Sequence, residues 1–247
     1  MIPIKTASEI KIMRQAGRIT AKTLDALRAK VQPGISTQEI DQLAKHLIEE
    51  QGGVPAFKDY RGFPANICTS VNEEVVHGIP GERKLISGDI ISIDVGVGLD
   101  GYFADATVTL AVGKIEGKLK ELLSITHEAL HLGIKQARCK NKLFDISWAI
   151  QSFVESRRCS VVRDFVGHGI GKKLHEPPEI PNFGKAHTGP VLEEGMVLAI
   201  EPMVNLGSWE ILFRDNGWTA VTKDGLPSAH FEHTVAITQD GPEVLTR

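Results

Sequence analysis

The sequence is short of cysteine, of net charge and of long apolar runs, and each shortage excludes a class of protein. Cys68, Cys139 and Cys159 are the three cysteines among 247 residues, at wide and irregular spacing. An odd number so scattered builds neither a disulfide framework nor a zinc finger, and suits reduced thiols in a cytosol. The formal net charge is −3, which excludes a chain-wide attraction to nucleic acid or to a membrane surface and leaves only local basic patches. No apolar stretch approaches the roughly 20 residues that span a bilayer. Met1-Ile2-Pro3-Ile4-Lys5 lacks the basic start and apolar run of a signal peptide. A soluble, cytoplasmic, monomeric protein is expected, with neither nucleic acid nor membrane as partner.

Hydrophobic residues make up 42% of the chain, ample for one large core or two fused smaller ones. Thr6 with Glu9 has the spacing of a capping box, followed by Ile10, Met13, Ala16, Leu24 and Leu27 at helical intervals. Ser36 with Glu39 repeats the signal ahead of Ile40, Leu43, Ala44 and Leu47, and Gln51-Gly52-Gly53 ends that helix. Residues 90–97 then read as a strand, Leu99-Asp100-Gly101 as a turn, and residues 102–109 as the antiparallel return. A long helical stripe follows through Leu119, Leu122, Leu123, Thr126, Leu130 and Ile134, and a shorter one from about Phe144 to Val154. The rest is β and loop.

The chain echoes itself. Leu85, Gly88, Ile90, Ile93 and Asp94 match Leu192, Gly195, Val197, Ile200 and Glu201 position for position, an offset of 107 residues (85 to 192). His77-Gly78-Ile79 is likewise echoed by His168-Gly169-Ile170. The expected architecture is an α+β duplication, helices covering packed sheets, with halves of about 1–113 and 114–247 and no linker between them.

Four acidic residues stand where acidic residues are scarce. Asp94 ends Ile-Ile-Ser-Ile, Glu201 ends Val-Leu-Ala-Ile, Asp105 lies between Ala104 and Ala106, and Glu232 follows Phe231. Carboxylates are poor strand formers and are almost never buried unpaired. One of them alone is ordinarily a solvent-facing position; four together, with Gly167-His168-Gly169-Ile170-Gly171 among them, ask for cations. Lys and Arg are scarce in these strands, so metal ions are the better candidate. Four carboxylates and one imidazole form a hard, oxygen-rich set, unlike structural zinc. Four negative charges match two divalent ions, with Fe2+, Mn2+ or Co2+ fitting best and Zn2+ admissible. Two ions about 3.5 Å apart can share a hydroxide, which makes hydrolysis the default reaction.

In order along the chain, Val76-His77-Gly78-Ile79-Pro80, Ile93-Asp94-Val95-Gly96, Asp105, Gly167-His168-Gly169-Ile170-Gly171, Ile200-Glu201-Pro202 and Phe231-Glu232-His233 resemble the type I methionine aminopeptidases. The resemblance covers nearly the whole chain and implies the pita-bread fold, a single catalytic domain over 1–247, and removal of the initiator methionine from nascent polypeptides ahead of a small second residue. It implies that Asp94 chelates a second metal, that Asp105 and Glu232 bridge the pair, and that His168 and Glu201 complete the first. A hydroxide between the metals would attack, with Glu201 handling its proton, His77 meeting the scissile nitrogen and His175 steadying the developing oxyanion. The methionine pocket would be Tyr60, Phe63, Cys68, Leu174 and Trp218, with Leu174 where some relatives carry an aromatic residue. Transient ribosome association is implied as well.

By strand alternation His233 faces away from Glu232, and His46, His127, His131, His187 and His230 have no context that marks them. Cys68 is a wall rather than a nucleophile, since a thiol mechanism leaves the carboxylates without a task. The alternatives are a proline-specific aminopeptidase or prolidase of the same fold, and a non-catalytic binding relative. The first usually has a separate N-terminal domain, and the second typically loses ligands. Neither an N-terminal zinc module nor the type II helical insertion is recognisable.

Overall fold

Both capping signals open helices in the computed structural model, which describes residues 1–247. Thr6 and Glu9 exchange side-chain and backbone bonds at the start of α1 (Ala7–Arg28). Ser36 and Glu39 do the same for α2 (Thr37–Glu50). The two later stripes are α3 (Gly117–Gln136) and α4 (Leu143–Glu155).

The expected hairpin is present and longer than its pattern announced. Ile90–Leu99 pairs antiparallel with Tyr102–Ala111 across ten register positions, closed by Asp100 and Gly101, both at positive φ (48° and 78°). Asp94 lies in the middle of its strand. Gly96 and Gly98 do not break the ladder because aromatic rings occupy the space above them: a Cβ on Gly96 would sit 2.7 Å from Phe57, and one on Gly98 3.1 Å from Phe103.

Cys68–Val71 and Val54–Pro55 extend this sheet, and every strand pair in the molecule is antiparallel. A five-stranded sheet from the second part of the chain runs Gly241–Val244, His233–Thr238, Val197–Ile200, Val166–Gly169, Glu176–Pro181 in spatial order. Helix α1 packs on the hairpin, and α3 packs on α4. One continuous apolar cluster links the sheets to these helices, from Leu27, Ile40 and Ile93 to Leu122, Leu198 and Val235. Each such side chain, fully buried, contributes about 1.5–3 kcal/mol.

A polar seam joins the two sheets. Glu232 N–H donates to the Thr107 carbonyl at 2.9 Å. The Thr234 hydroxyl accepts from Asp105 N–H and donates to its carbonyl. The Thr109 hydroxyl does the same toward His230. Residues 230–234 are thus laid along the strand that carries Asp105.

The longer echo has a structural counterpart: Gly88 and Gly195 both take positive φ (107° and 87°) before their strands. The shorter echo does not. His77 follows a strand at φ 58°, whereas His168 lies inside Val166–Gly169.

Candidate metal centre and its cavity

Alternation along the hairpin sets one face of the site. Asp94 is opposite Thr107 and Asp105 opposite Gly96, so all four share a face, and Cys68 pairs with Asp94 from the other side. From the second sheet, His168 is opposite Ala199, and Glu201 follows Ile200 at the next strand's end. Glu232 bridges the gap before His233–Thr238. The glycines beside His168 serve close approach rather than turning. A Cβ on Gly167 would meet the Ala199 carbonyl, and one on Gly169 the Pro177 carbonyl.

The sheets bring these residues together. Ligand atoms of Asp105, His168 and Glu232 all lie within 4.8 Å of one another, and His168 Nε2 is 3.6 Å from Glu201 Oε1. Asp94 lies beside them on the cavity wall. Asp105, His168 and Glu232 are 3%, 7% and 2% exposed, so water does not solvate them. Asp94 Oδ1, Asp105 Oδ1 and Glu232 Oε1 are buried without hydrogen-bond partners. Burial pushes the carboxyls of Asp105 and Glu232 well above the usual range, helped by the charges of Glu232 and Asp94 on Asp105 and of Glu201 and Asp94 on Glu232. Glu201 is raised likewise by burial and then Asp94, and Asp94 mainly by burial.

Left as anions without cations, such groups cost several kcal/mol each. The orphaned oxygens fit divalent metal. His168 fits it too: Nδ1–H donates to the Gly169 carbonyl at 2.9 Å, which leaves Nε2 as a bare lone pair facing Glu201. Burial holds this imidazole down to about 4, so it is neutral.

Above the carboxylates lies a cavity of about 310 Å³. Tyr60, Phe63, Cys68 and Trp218 line it, with His77 and His175. Leu174 is the departure from expectation: it is buried in the same apolar cluster but behind the wall, its neighbour His175 taking the cavity position. Phe63 meets Trp218 edge to face at 5.2 Å, and Phe165 meets His77 the same way at 5.2 Å. Tyr60 stacks on His175 and its hydroxyl lies 2.9 Å from His175 Nδ1. Burial lowers His77 to about 4, and burial with the nearby His168 lowers His175.

Sequence reasoning missed several residues, among them Phe165 and Met203 on the cavity wall, and two of them are instructive. Phe57 lines the cavity above Gly96. His230 is buried with its Nε2 3.5 Å from Glu201 Oε2. The alternation that turned His233 away also places His230 on the face of Glu232, and that was its signal. His233 instead meets the Thr246 hydroxyl at 2.9 Å. His127 and His131 lie against each other at 4.4 Å, their rings tilted by 46°, on the exposed face of α3, away from the cavity.

The model of metallopeptidase family M24 matches residues 11–239. The methionine aminopeptidase of Clostridium perfringens is 53% identical over 246 residues, covering 100% of this chain and 99% of that protein. Methionine aminopeptidase 1 of Bacillus subtilis is also 53% identical, with both chains fully covered. The crystal structure of methionine aminopeptidase from Rickettsia prowazekii superposes with a TM-score of 0.99 at 43% identity, over 100% of each chain. The sheets and helices described above are those of the pita-bread fold. The chain belongs to metallopeptidase family M24, among the type I methionine aminopeptidases.

Proposed function

We propose that this protein removes the N-terminal methionine from nascent polypeptides and peptides whose second residue is small. One observation carries the reading: buried Asp105, His168 and Glu232 and half-buried Asp94 and Glu201 lie at a cavity walled by Phe57, Tyr60, Phe63, Cys68 and Trp218. That is an apolar slot for an unbranched thioether beside a seat for cations. Two divalent ions per chain suit four carboxylates, with Fe2+, Mn2+ or Co2+ favoured by the oxygen-rich donor set and Zn2+ admissible. When bound, such ions supply Lewis acidity and lower the pKa of water.

The protein's own residues do the rest. Asp94, Asp105, Glu232, His168 and Glu201 would hold the ions. Glu201 would take the proton of the attacking water. His77, neutral, presents a ring nitrogen to the scissile amide nitrogen. His175, steadied by Tyr60, donates to the carbonyl oxygen as charge develops there. The same reading takes the chain as one catalytic unit of two pseudo-repeat halves, about 1–113 and 114–247. It is supported by the matching turns before the strands of Asp94 and Glu201. We place the protein in the cytoplasm as a monomer acting transiently at the ribosome, where its three free cysteines stay reduced.

Purified protein with manganese or cobalt is expected to release methionine from Met-Ala-Ser and to leave Leu-Ala-Ser and Ala-Pro-Ser nearly untouched. Cleavage of the proline peptide instead would move the protein to the prolidases. Absence of turnover with every divalent metal tried would remove the enzymatic reading.

A further inference from the structure

The proposed reaction leaves one buried imidazole beside the carboxylates without a task. His230 ends the strand Ser228–His230, is 3% exposed, and is not part of the cavity wall. Its backbone is held at both N–H and carbonyl by the Thr109 hydroxyl, so the ring is set from a fixed anchor. Nε2 has no hydrogen-bond partner and stands 3.5 Å from Glu201 Oε2. The other oxygen of the same carboxylate, Oε1, is 3.6 Å from His168 Nε2. Glu201 therefore lies between two imidazoles, one facing each oxygen.

The two rings are not equivalent. His168 donates through Nδ1 to the Gly169 carbonyl, so its Nε2 is a lone pair and cannot donate to Glu201. The His230 ring makes no such bond, and a neutral imidazole carries one N–H that Nε2 can hold. A shift of a few tenths of an ångström brings Nε2 and Oε2 to the 2.7–3.2 Å of an ordinary N–H···O bond. Without that bond, rotation of the carboxylate could exchange its two oxygens.

We propose that His230 is a positioning residue: its Nε2–H donates to Glu201 Oε2 and so fixes Oε1 as the oxygen that joins His168 at the cation. The proposal rests on the reading of Glu201 as a ligand and proton acceptor. Groups that hold a ligand in this way sharpen both metal affinity and turnover.

The test compares the full-length wild type with His230→Gln and His230→Leu. Co2+ binding is followed by calorimetry and by the cobalt d–d absorption, and kcat and KM are measured on Met-Ala-Ser. Glutamine offers an amide N–H near the position of Nε2, whereas leucine fills the volume without a donor. The leucine variant is expected to lose about 10–100-fold in tight Co2+ affinity and in kcat. Its KM should move by less than about threefold, since the cavity wall is untouched. Glutamine should restore both quantities to within about fivefold of wild type, with the d–d bands in place.

Wild-type Co2+ affinity in the leucine variant would overturn the proposal. So would a glutamine variant as weak as leucine with displaced d–d bands, which would make His230 a cobalt ligand in its own right. Wild-type protein that neither binds cobalt nor releases methionine would overturn the reading of the whole site, a failure distinct from that of His230 alone. Should the leucine variant not fold by circular dichroism, His230→Asn, whose amide stops short of Glu201, takes its place with the same expectations.

Discussion

The two sides of the site are built in opposite ways. Asp94 and Asp105 stand inside two ten-residue strands with ladder bonds before and after them. His168 lies inside one four-residue strand and Glu201 just beyond another, and Glu232 lies in the gap between strands of three and six residues. The hairpin side supports itself. The other side is held against it by threonine hydroxyls: Thr107 donates to Glu232 Oε2 at 2.9 Å, while Thr109 and Thr234 bond the backbone across the seam. One regular face thus serves as the template on which the irregular one is set.

The largest test of this contrast is His168→Ala, which removes the one nitrogen among the five proposed ligands. Turnover of Met-Ala-Ser and tight metal binding should fall by more than the roughly 10–100-fold that supporting residues cost. An undiminished rate would sink the assignment of the second side. Next comes the template itself. Thr107→Val deletes the donor to Glu232 and should cost about 10–100-fold in metal affinity by titration. Ser92→Ala, on the same hairpin, breaks only the 2.8 Å bond to Thr109. It should cost about 1 kcal/mol of stability and leave metal affinity alone. Equal losses of affinity in the two variants would erase the distinction between seam and hairpin.

A smaller effect follows from removing the metals. The carboxyls of Asp94, Asp105, Glu201 and Glu232 are raised by burial, so the folded protein keeps protons that the unfolded chain has released. Stability then falls as pH rises above the unfolded carboxylate pKa, by up to about 1.4 kcal/mol per pH unit for each retained proton. His77, His168, His230 and His233 are held at about 4 against 6.5, so they act the other way and add stability as pH rises between those values. Above 6.5 these histidines no longer contribute, and the strongly raised carboxyls of Asp105, Glu201 and Glu232 are left to act. Urea unfolding in EDTA should show stability falling from pH 6.5 to about 8, and manganese should flatten that slope by holding the carboxylates ionised. Metal-free protein as stable at pH 8 as at 6.5 would show that the cluster does not carry its charges as described.

What could be read before folding was what is local. The capping boxes at Thr6 and Ser36 involve neighbours three residues apart, and the hairpin declares itself through alternation and Asp100-Gly101. The carboxylates stood out because charge in an apolar strand is costly wherever the strand goes. His230 did not, because its setting depends on Thr109, 121 residues away. Phe57 was missed for the same reason: its place on the wall exists only because Gly96 leaves room across the sheet. The first hairpin strand runs two residues past its expected end because Gly98 looks like a breaker until Phe103 is seen to cover it.

The least effect is expected at Cys68, and it decides which chemistry the contrast belongs to. Cys68 pairs with Asp94 at the edge of the hairpin face and lines the cavity, so a thiol nucleophile would be well placed there. Its ionisation argues otherwise. Burial pushes the thiol well above its usual range, and the anions of Asp94 and Asp105 push further, so the thiolate is scarce at neutral pH. Cys68→Ala should keep kcat within about threefold and raise KM a few-fold, because a piece of the wall is lost but no reacting group. Iodoacetamide should reach the half-buried Cys139 before Cys68. Loss of turnover in Cys68→Ala with metal affinity intact would pass the reaction to sulfur. The two-sided carboxylate site would then be a structural metal seat beside it.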